Sequence, residues 1–165
     1  MIGAAERIAY TGASDAFHVA LRARYGMLPG GARDGEQGDL AYVGREFRVY
    51  GYFRIAEAAR FYAALRHRWD DATLARALAV AGLEPRFEIR RMKRAYQRAL
   101  VLCFALAAKP ERLVVECGDE FDETPARVLL ERAVGDVRHA VVTFADGSVP
   151  EAGIFDDVRA ATDGP

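Results

Sequence analysis

The residues best suited to chemistry lie where a short β-prone run gives way to a helical pattern. The run Arg7–Thr11 ends at Gly12, and Ser14 is a residue type that commonly caps a helix. A strand, a tight turn and a helix provide the context in which backbone N–H groups bind phosphate. Residues 12–19 align with the phosphate-binding pattern G-x-x-x-x-G-K-[ST], although Gly12 alone matches it. Taken by itself, this segment is better explained as an ordinary capped helix after a turn.

A second polar group follows an apolar run later in the chain. Glu116 and Cys117 come directly after Leu113–Val115, and four more acidic residues follow: Asp119, Glu120, Asp122 and Glu123. A new acidic active site would need an activating base or a matched set of metal ligands, and the surrounding sequence supplies neither. A solvated acidic loop is therefore the preferred interpretation.

The histidines and cysteines form no metal-binding motif. His18, His67 and His139 are far apart, and Cys103 and Cys117 fall outside any metal-ligand spacing and do not suggest a disulfide framework. We therefore expect no metal site, no cofactor and two reduced thiols.

The charge and hydropathy of the chain exclude several classes of protein. Its 23 basic and 24 acidic residues leave a net charge of -1, with no global excess to attract nucleic acid or anionic lipid. The longest apolar run, residues 99–108, is far shorter than the roughly 20 residues of a membrane-spanning helix. We expect one soluble, cytoplasmic domain that neither binds nucleic acid nor inserts into a membrane.

The elements that must position the candidate residues alternate between strands and helices. Short apolar strands are predicted at Arg7–Thr11, Leu40–Val43, Leu113–Val115 and Ala140–Phe144. Helices are predicted after Ser14, over Ile55–Arg68, from Asp70 or Asp71 to Gly82, over Ile89–Ala108, and from Thr124 to Ala133. This order favours a mostly parallel sheet covered by helices on both faces.

Several segments, in order, resemble the ATPase domain of ATP-binding-cassette (ABC) transporters. Residues 53–65 resemble the start of that family's helical subdomain, residues 74–85 the segment before its signature, and residues 92–99 lie where the signature L-S-G-G-Q stands. Leu113–Glu116 resembles the Walker B strand, Val141–Phe144 the switch strand, and Asp146–Gly153 the hairpin after it. The resemblance spans about Arg7 to Arg159. It implies a single P-loop-NTPase-like α/β domain over residues 1–165, with a reduced helical subdomain at about 46–98.

The resemblance also implies that the nucleotide site has degenerated. Phe17, His18 and Val19 take the places of the loop's second glycine, its lysine and its magnesium-binding hydroxyl. Phenylalanine adds bulk, histidine with a pKa near 6.5 is mostly neutral at pH 7, and valine offers no oxygen ligand. We expect His18 to be a surface helix residue, and Gly12, Ser14, His18 and Glu116 to form at most a vestigial nucleotide site.

Other catalytic positions of the family are altered as well. Glu116 replaces the Walker B aspartate, Cys117 the catalytic glutamate, and Phe144 the switch histidine, while Lys93-Arg94-Ala95 replaces Ser-Gly-Gly of the signature. The family's first antiparallel strands have no counterpart in the few residues before Gly12. The resemblance therefore implies a degenerate, truncated cassette that is not an enzyme.

The partners implied by the resemblance are an intact ABC ATPase subunit and/or a membrane permease, and a homodimer is a further arrangement. The chain would then be a scaffold or regulator in a transport or export complex, held at the inner face of the membrane through its partner. The expected partner contacts are Phe47, Tyr50, Tyr52, Phe53, Arg54, Lys93 and Arg94. Equally, the aromatic residues could pack the helical pair onto the sheet.

Two further interpretations remain open. The basic run Arg86, Arg90, Arg91, Lys93, Arg94 and Arg98 is better explained as a solvated or partner-facing surface than as a nucleic-acid site. The alternative function is a module outside any transporter that binds a nucleotide or another anion at the helix N-terminus without hydrolysing it.

Overall fold

The computed structural model describes residues 6–25, 40–45, 49–117, 125–144 and 153–163. The strands are β1 (Glu6–Thr11), β2 (Leu40–Val43), β3 (Arg112–Cys117), β4 (His139–Phe144) and β5 (Asp157–Ala160). The helices are α1 (Asp15–Arg24), α2 (Ile55–Ala64), α3 (Asp71–Val80), α4 (Arg94–Ala107) and α5 (Ala126–Asp136), with 3-10 turns at Ile89–Arg91 and Ala161–Asp163.

The five strands form one parallel sheet in the order β2-β3-β4-β1-β5. Parallel strands cannot be joined by tight hairpins, and helices lie between β1 and β2, between β2 and β3, and between β3 and β4, as the alternation in the sequence predicted. The predicted mostly parallel sheet is therefore confirmed. Since all strands run the same way, their carboxyl ends meet at one edge of the sheet.

The two faces of the sheet carry cores of different size. Ala9, Val115 and Val142 belong to the main core, which is completed by the apolar faces of α2, α3, α4 and α5. Their neighbours Tyr10 and Val114 point to the opposite face and pack against α1. The central strands β3 and β4 are mostly buried because helices cover both faces of the sheet, whereas the edge strand β5 is exposed along its whole length.

Helix boundaries agree with the sequence where local capping determines them. The Asp70 carboxylate accepts hydrogen bonds from the backbone N–H groups of Ala72 (2.9 Å) and Thr73 (3.2 Å), which caps α3. The chain leaves that helix through Gly82 at a φ of +64°, a conformation that favours glycine. Helix α2 ends at Ala64, four residues before the predicted end.

The single helix predicted over residues 89–108 is wrong in its first part. Residues 89–91 form a 3-10 turn, Met92 and Lys93 are extended, and α4 begins at Arg94. Tertiary hydrogen bonds explain the break, since the backbone N–H of Ile89 donates to the Phe53 carbonyl at 3.1 Å. The Gln97 side chain also donates to the carbonyls of Ile89 and Met92, each at 3.1 Å.

Two predictions concern residues outside the described part of the chain. The hairpin expected at 146–153 falls almost wholly on such residues, and so does Thr124, the expected cap of α5. Pro125 occupies the N-cap position of α5.

Candidate functional site

The turn between β1 and α1 is too short to cradle a phosphate in the manner of the expected motif. Only Gly12, Ala13 and Ser14 separate the strand from the helix, and Gly12 has a φ of +69°. Residues 17–19, which were aligned with the end of the phosphate loop, therefore lie within α1. Phe17 is buried against Tyr10, with ring centroids 5.0 Å apart, whereas Val19 is 63% exposed.

Several backbone donors of this turn are already engaged. The N–H of Ala13 donates to the Phe144 carbonyl at 3.0 Å, and the N–H of Phe17 donates to the Ser14 hydroxyl at 3.2 Å. The first turn of α1 also carries the carboxylate of Asp15, which pairs with Arg45 at 3.1 Å. The positive end of the helix dipole stabilises an acidic side chain at this position. The negative charge of that side chain then repels any further anion at the same helix end.

His18 was expected on the helix surface, and this prediction is wrong. The residue is only 2% exposed, and its Nε2 lies 2.9 Å from the Thr143 hydroxyl. Its Nδ1 is buried without a hydrogen-bond partner among the described residues. Burial lowers the pKa of His18, so the imidazole is neutral at pH 7. It cannot supply the fixed positive charge that a phosphate-binding lysine provides.

Glu116 is fully buried near the carboxyl end of β3 and lies at the centre of a hydrogen-bond network. Arg22 forms a bidentate pair with it, through Nε to Oε1 at 2.8 Å and Nη2 to Oε2 at 2.6 Å. The Tyr42 hydroxyl donates to Oε1, and the backbone N–H of Arg45 donates to Oε2 at 3.0 Å. Each carboxylate oxygen thus accepts two hydrogen bonds, which uses the four acceptor positions of the group.

The fold explains how these residues meet. Tyr42 is in register with Val114, two residues before Glu116 on the same face of the sheet, and Thr143 lies directly opposite Glu116. On α1, residues 18 and 22 are one turn apart and both face this part of the sheet. The buried Arg98 donates from Nη1 to the Gly44 carbonyl at 2.6 Å, which fixes the segment that presents the Arg45 N–H.

The electrostatics of the network hold Glu116 ionised. Burial alone would raise the pKa of Glu116, but the hydrogen bonds from Arg22, Tyr42 and the backbone of Arg45 outweigh it, and the pKa is lowered. The pKa of Arg22 is raised, chiefly by its hydrogen bond to Glu116. Burial, with the hydrogen bond to Glu116, raises the pKa of Tyr42. At neutral pH the network is a carboxylate, a guanidinium and a neutral phenol.

Two other positions inferred from the resemblance face away from this network. Cys117 and Phe144 are both buried in the main core, on the opposite face of the sheet from Glu116. The acidic residues 119–123 lie outside the described part of the chain. Within the described ranges, no group of three or more His, Cys, Asp or Glu side chains could hold a metal ion.

The residues present do not fit a magnesium–nucleotide complex. The carboxylate of Glu116 is saturated by the protein's own donors, and a guanidinium cation is already bound to it. The helix start offers neither a lysine nor a hydroxyl beyond the capping Ser14. The chemistry visible at this edge is that of a closed structural ion pair.

The expected partner contacts divide into exposed and packed residues. Tyr52 is 96% exposed, and Tyr50, Arg54, Lys93 and Arg94 are also exposed. Phe53 is half-buried within an aromatic cluster, with its ring centroid 6.1 Å from that of Tyr50. Phe47 lies outside the described residues.

Sequence reasoning did not identify Arg22, Tyr42 or Thr143. The i, i+4 spacing of His18 and Arg22 was a usable signal, because it places both on one face of α1. Nothing local indicated that this face would meet Glu116.

The arrangement defines a parallel α/β domain with a buried, fully hydrogen-bonded carboxylate at the carboxyl edge of its sheet. Solved structures share this fold. A protein from Pyrococcus furiosus described as an ABC transporter ATP-binding protein is similar at a TM-score of 0.75 and 14% identity, covering 97% of this chain and 86% of that one. A protein described as a cobalt transport ATP-binding protein is similar at a TM-score of 0.61 and 15% identity, covering 87% of this chain and 59% of that one.

This chain therefore has the fold of ABC transporter ATP-binding proteins. No family model matches the sequence. No curated protein matches it either. None of the helices in the described ranges is long and apolar enough to cross a membrane.

Proposed function

We propose that this chain is a non-catalytic ABC-ATPase-like subunit that acts as a scaffold or regulator in a membrane transport or export complex. The observation that supports this most is the state of Glu116, whose carboxylate is fully occupied by Arg22, Tyr42 and the backbone of Arg45. A metal-binding carboxylate must keep an oxygen free for the cation. Here the cation is a side chain of the same domain.

Replacing that internal cation by a magnesium ion is energetically unfavourable. The ion would have to displace Arg22 from both oxygens of Glu116, and the displaced guanidinium would remain tethered beside the incoming positive charge. Phosphoryl transfer depends on positioning and electrostatic stabilisation, which the neutral His18 and the buried Phe17 do not supply. These features support a domain that retains the fold without the chemistry.

Retention of the fold points to a role as a surface for other subunits. The similar structures are described as transporter ATP-binding proteins, so the partners we propose are an intact ABC ATPase subunit and/or a membrane permease. The subunit would be peripheral at the inner face of the membrane through that partner, and a homodimer is a further arrangement. The exposed Tyr50, Tyr52 and Arg54 belong to the proposed contact surface.

Calorimetric titration with Mg-ATP, run beside a phosphate-release assay, tests the loss of catalysis. We expect no binding heat up to millimolar Mg-ATP and phosphate release at the rate of the buffer. Turnover that disappears in a Glu116→Gln variant would refute the proposal. Binding without turnover would instead favour the alternative, a nucleotide- or anion-binding module.

The partner side of the proposal needs a separate test. A tagged chain, expressed in the cells that naturally produce it, is captured from detergent-solubilised membranes and its partners are identified by mass spectrometry. Recovery of an ABC ATPase or a permease is expected. Recovery of neither, at a bait level matching the natural abundance, would contradict the scaffold role.

A further inference from the structure

A cleft of about 630 Å³ lies between the segment after α3 and the start of α4. Its apolar lining comes from Leu83, Phe87, Met92 and Tyr96. Its rim carries Arg86, Arg91 and Lys93, which belong to the basic run noted in the sequence. The Glu116 network does not involve these residues.

The apolar lining has the composition of a protein-binding surface. Phe87 is 36% exposed, and Met92 and Tyr96 are half-buried, so large side chains remain open to solvent at the cleft. Aromatic residues, methionine and arginine are enriched at protein interfaces, and tyrosine and arginine are frequent hot spots. All three enriched classes occur around this one cleft.

Backbone hydrogen bonds hold the walls of the cleft in place. The N–H of Ile55 donates to the Phe87 carbonyl at 3.1 Å, and the N–H of Ala56 donates to the Pro85 carbonyl at 2.9 Å. On the opposite wall, the Gln97 side chain donates a hydrogen bond to the Met92 carbonyl at 3.1 Å. A partner would therefore meet a surface that is already ordered, which reduces the entropic cost of binding.

The charges around the cleft favour an acidic partner. Residues 82–93 contain four basic and two acidic side chains, although the whole chain has a net charge of -1. Glu84 forms an ion pair with Arg86 at 2.6 Å. Glu88 forms ion pairs with both Arg90, at 3.2 Å, and Arg91, at 2.9 Å. Two carboxylates do not balance four cations, so the net charge of this segment is positive.

We propose that this cleft binds an acidic peptide segment of a partner protein. Carboxylates of the segment meet Arg91 and Lys93, and one or two apolar side chains enter between Phe87 and Tyr96. A small anion fits less well, because none of the lining residues, all of them in the described part of the chain, is a buried polar group that could orient it. The inference rests on the proposed function for the partner's place in a transport complex, and it adds the docking surface and the chemistry of the segment that docks there.

Peptide display is the direct test, because it does not require the partner to be known. Random 12-residue peptides are selected against the immobilised full chain, and one enriched peptide is labelled for fluorescence anisotropy. We expect the enriched peptides to combine Asp or Glu with Leu or an aromatic residue, and their affinity to fall as salt is raised. Enrichment of basic peptides, of no peptides, or tighter binding of a poly-dT oligonucleotide would overturn the proposal.

Two charge-reversed proteins locate the binding site. Arg91→Glu with Lys93→Glu reverses the rim of the cleft, whereas Arg76→Glu with Arg132→Glu makes the same change in charge at a different surface cleft. The first pair is expected to weaken binding of the selected peptide at least tenfold and the second less than twofold. A Phe87→Ala variant, expected to weaken binding at least fivefold, tests the apolar component. If both double variants bind the selected peptide equally well, the proposal is wrong.

Failure of this inference and failure of the proposed function give different results. If an ABC ATPase or a permease is captured equally well by the Arg91→Glu/Lys93→Glu protein, the cleft is not the docking surface and the scaffold role stands. If Mg-ATP is turned over, the proposed function fails whatever the peptide selection shows.

Discussion

Replacement of Arg22 by methionine tests whether the buried carboxylate of Glu116 depends on its internal cation. Methionine keeps an apolar stem of similar length but removes both guanidinium donors, which leaves Glu116 only the Tyr42 hydroxyl and the backbone N–H of Arg45. Breaking a buried pair in this way costs about 3–5 kcal/mol. The Arg22 side chain is itself 37% exposed, so water can partly solvate the site. We therefore expect a loss of about 2–3 kcal/mol in the free energy of unfolding at pH 7.

The same substitution reverses the pH dependence that Glu116 contributes. In the native protein its pKa lies below the ordinary value of 4.5, so its stabilisation is present above that value and is lost as the pH falls through the folded pKa. Without Arg22, burial dominates and raises the pKa of Glu116 above the ordinary value. The carboxylate then costs stability at pH 7, and part of this cost is recovered on acidification, at about 1.4 kcal/mol per unit of pKa.

Urea denaturation at pH 7 and pH 5 measures both effects. Arg24→Met, an exposed arginine on the same helix, is the matched control and should change the free energy of unfolding by less than about 0.5 kcal/mol. The Arg22→Met penalty should be smaller at pH 5 than at pH 7. A penalty below about 0.5 kcal/mol, or one that is equal at the two pH values, would refute the view that Arg22 neutralises a sealed carboxylate.

Three further measurements address single residues. Gly12→Ala places a side chain at a φ of +69° and should cost about 1 kcal/mol, which for a domain of this size lowers the Tm by about 2–4 °C in a calorimetric scan; an unchanged Tm would contradict the strained turn. Because burial lowers the pKa of His18, the native protein should gain more stability between pH 5 and pH 7 than a His18→Leu variant does, and parallel urea curves would show that the imidazole is not buried. Burial raises the pKa of Cys103 to about 12, so iodoacetamide should label this thiol only after denaturation, and rapid labelling of the native protein would contradict its place in the core.

The local elements of this protein could be predicted because short-range physics determines them. Short apolar runs indicated β1 to β4, whereas the exposed strand β5 (Asp157–Ala160) was not predicted. The Asp70 carboxylate and Gly82 set the ends of α3, as their positions indicated. The alternation of strands and helices was sufficient to indicate the parallel sheet, since parallel strands require crossovers. The sequence also shows directly that residues 17–19 are Phe, His and Val.

Local patterns failed where a distant contact outweighed them. The helical pattern of residues 89–93 was interrupted by hydrogen bonds that the backbone of Ile89 makes to Phe53 and that the Gln97 side chain makes to Ile89 and Met92. His18 was expected to face solvent because the periodicity of a helix does not reveal which of its faces the sheet covers. The Thr143 hydroxyl that meets it is 125 residues away.

The sequence by itself thus indicated most of the helices and strands and the parallel α/β class. Only the tertiary structure decided which groups bind the carboxylate of Glu116. Arg22 and Tyr42 are 94 and 74 residues from Glu116, and they meet it because β2 and β3 are neighbours and α1 packs across that face of the sheet. Strand order and helix packing are long-range outcomes of burying two apolar faces at once, so no local pattern could show that the site is closed by an ion pair of its own.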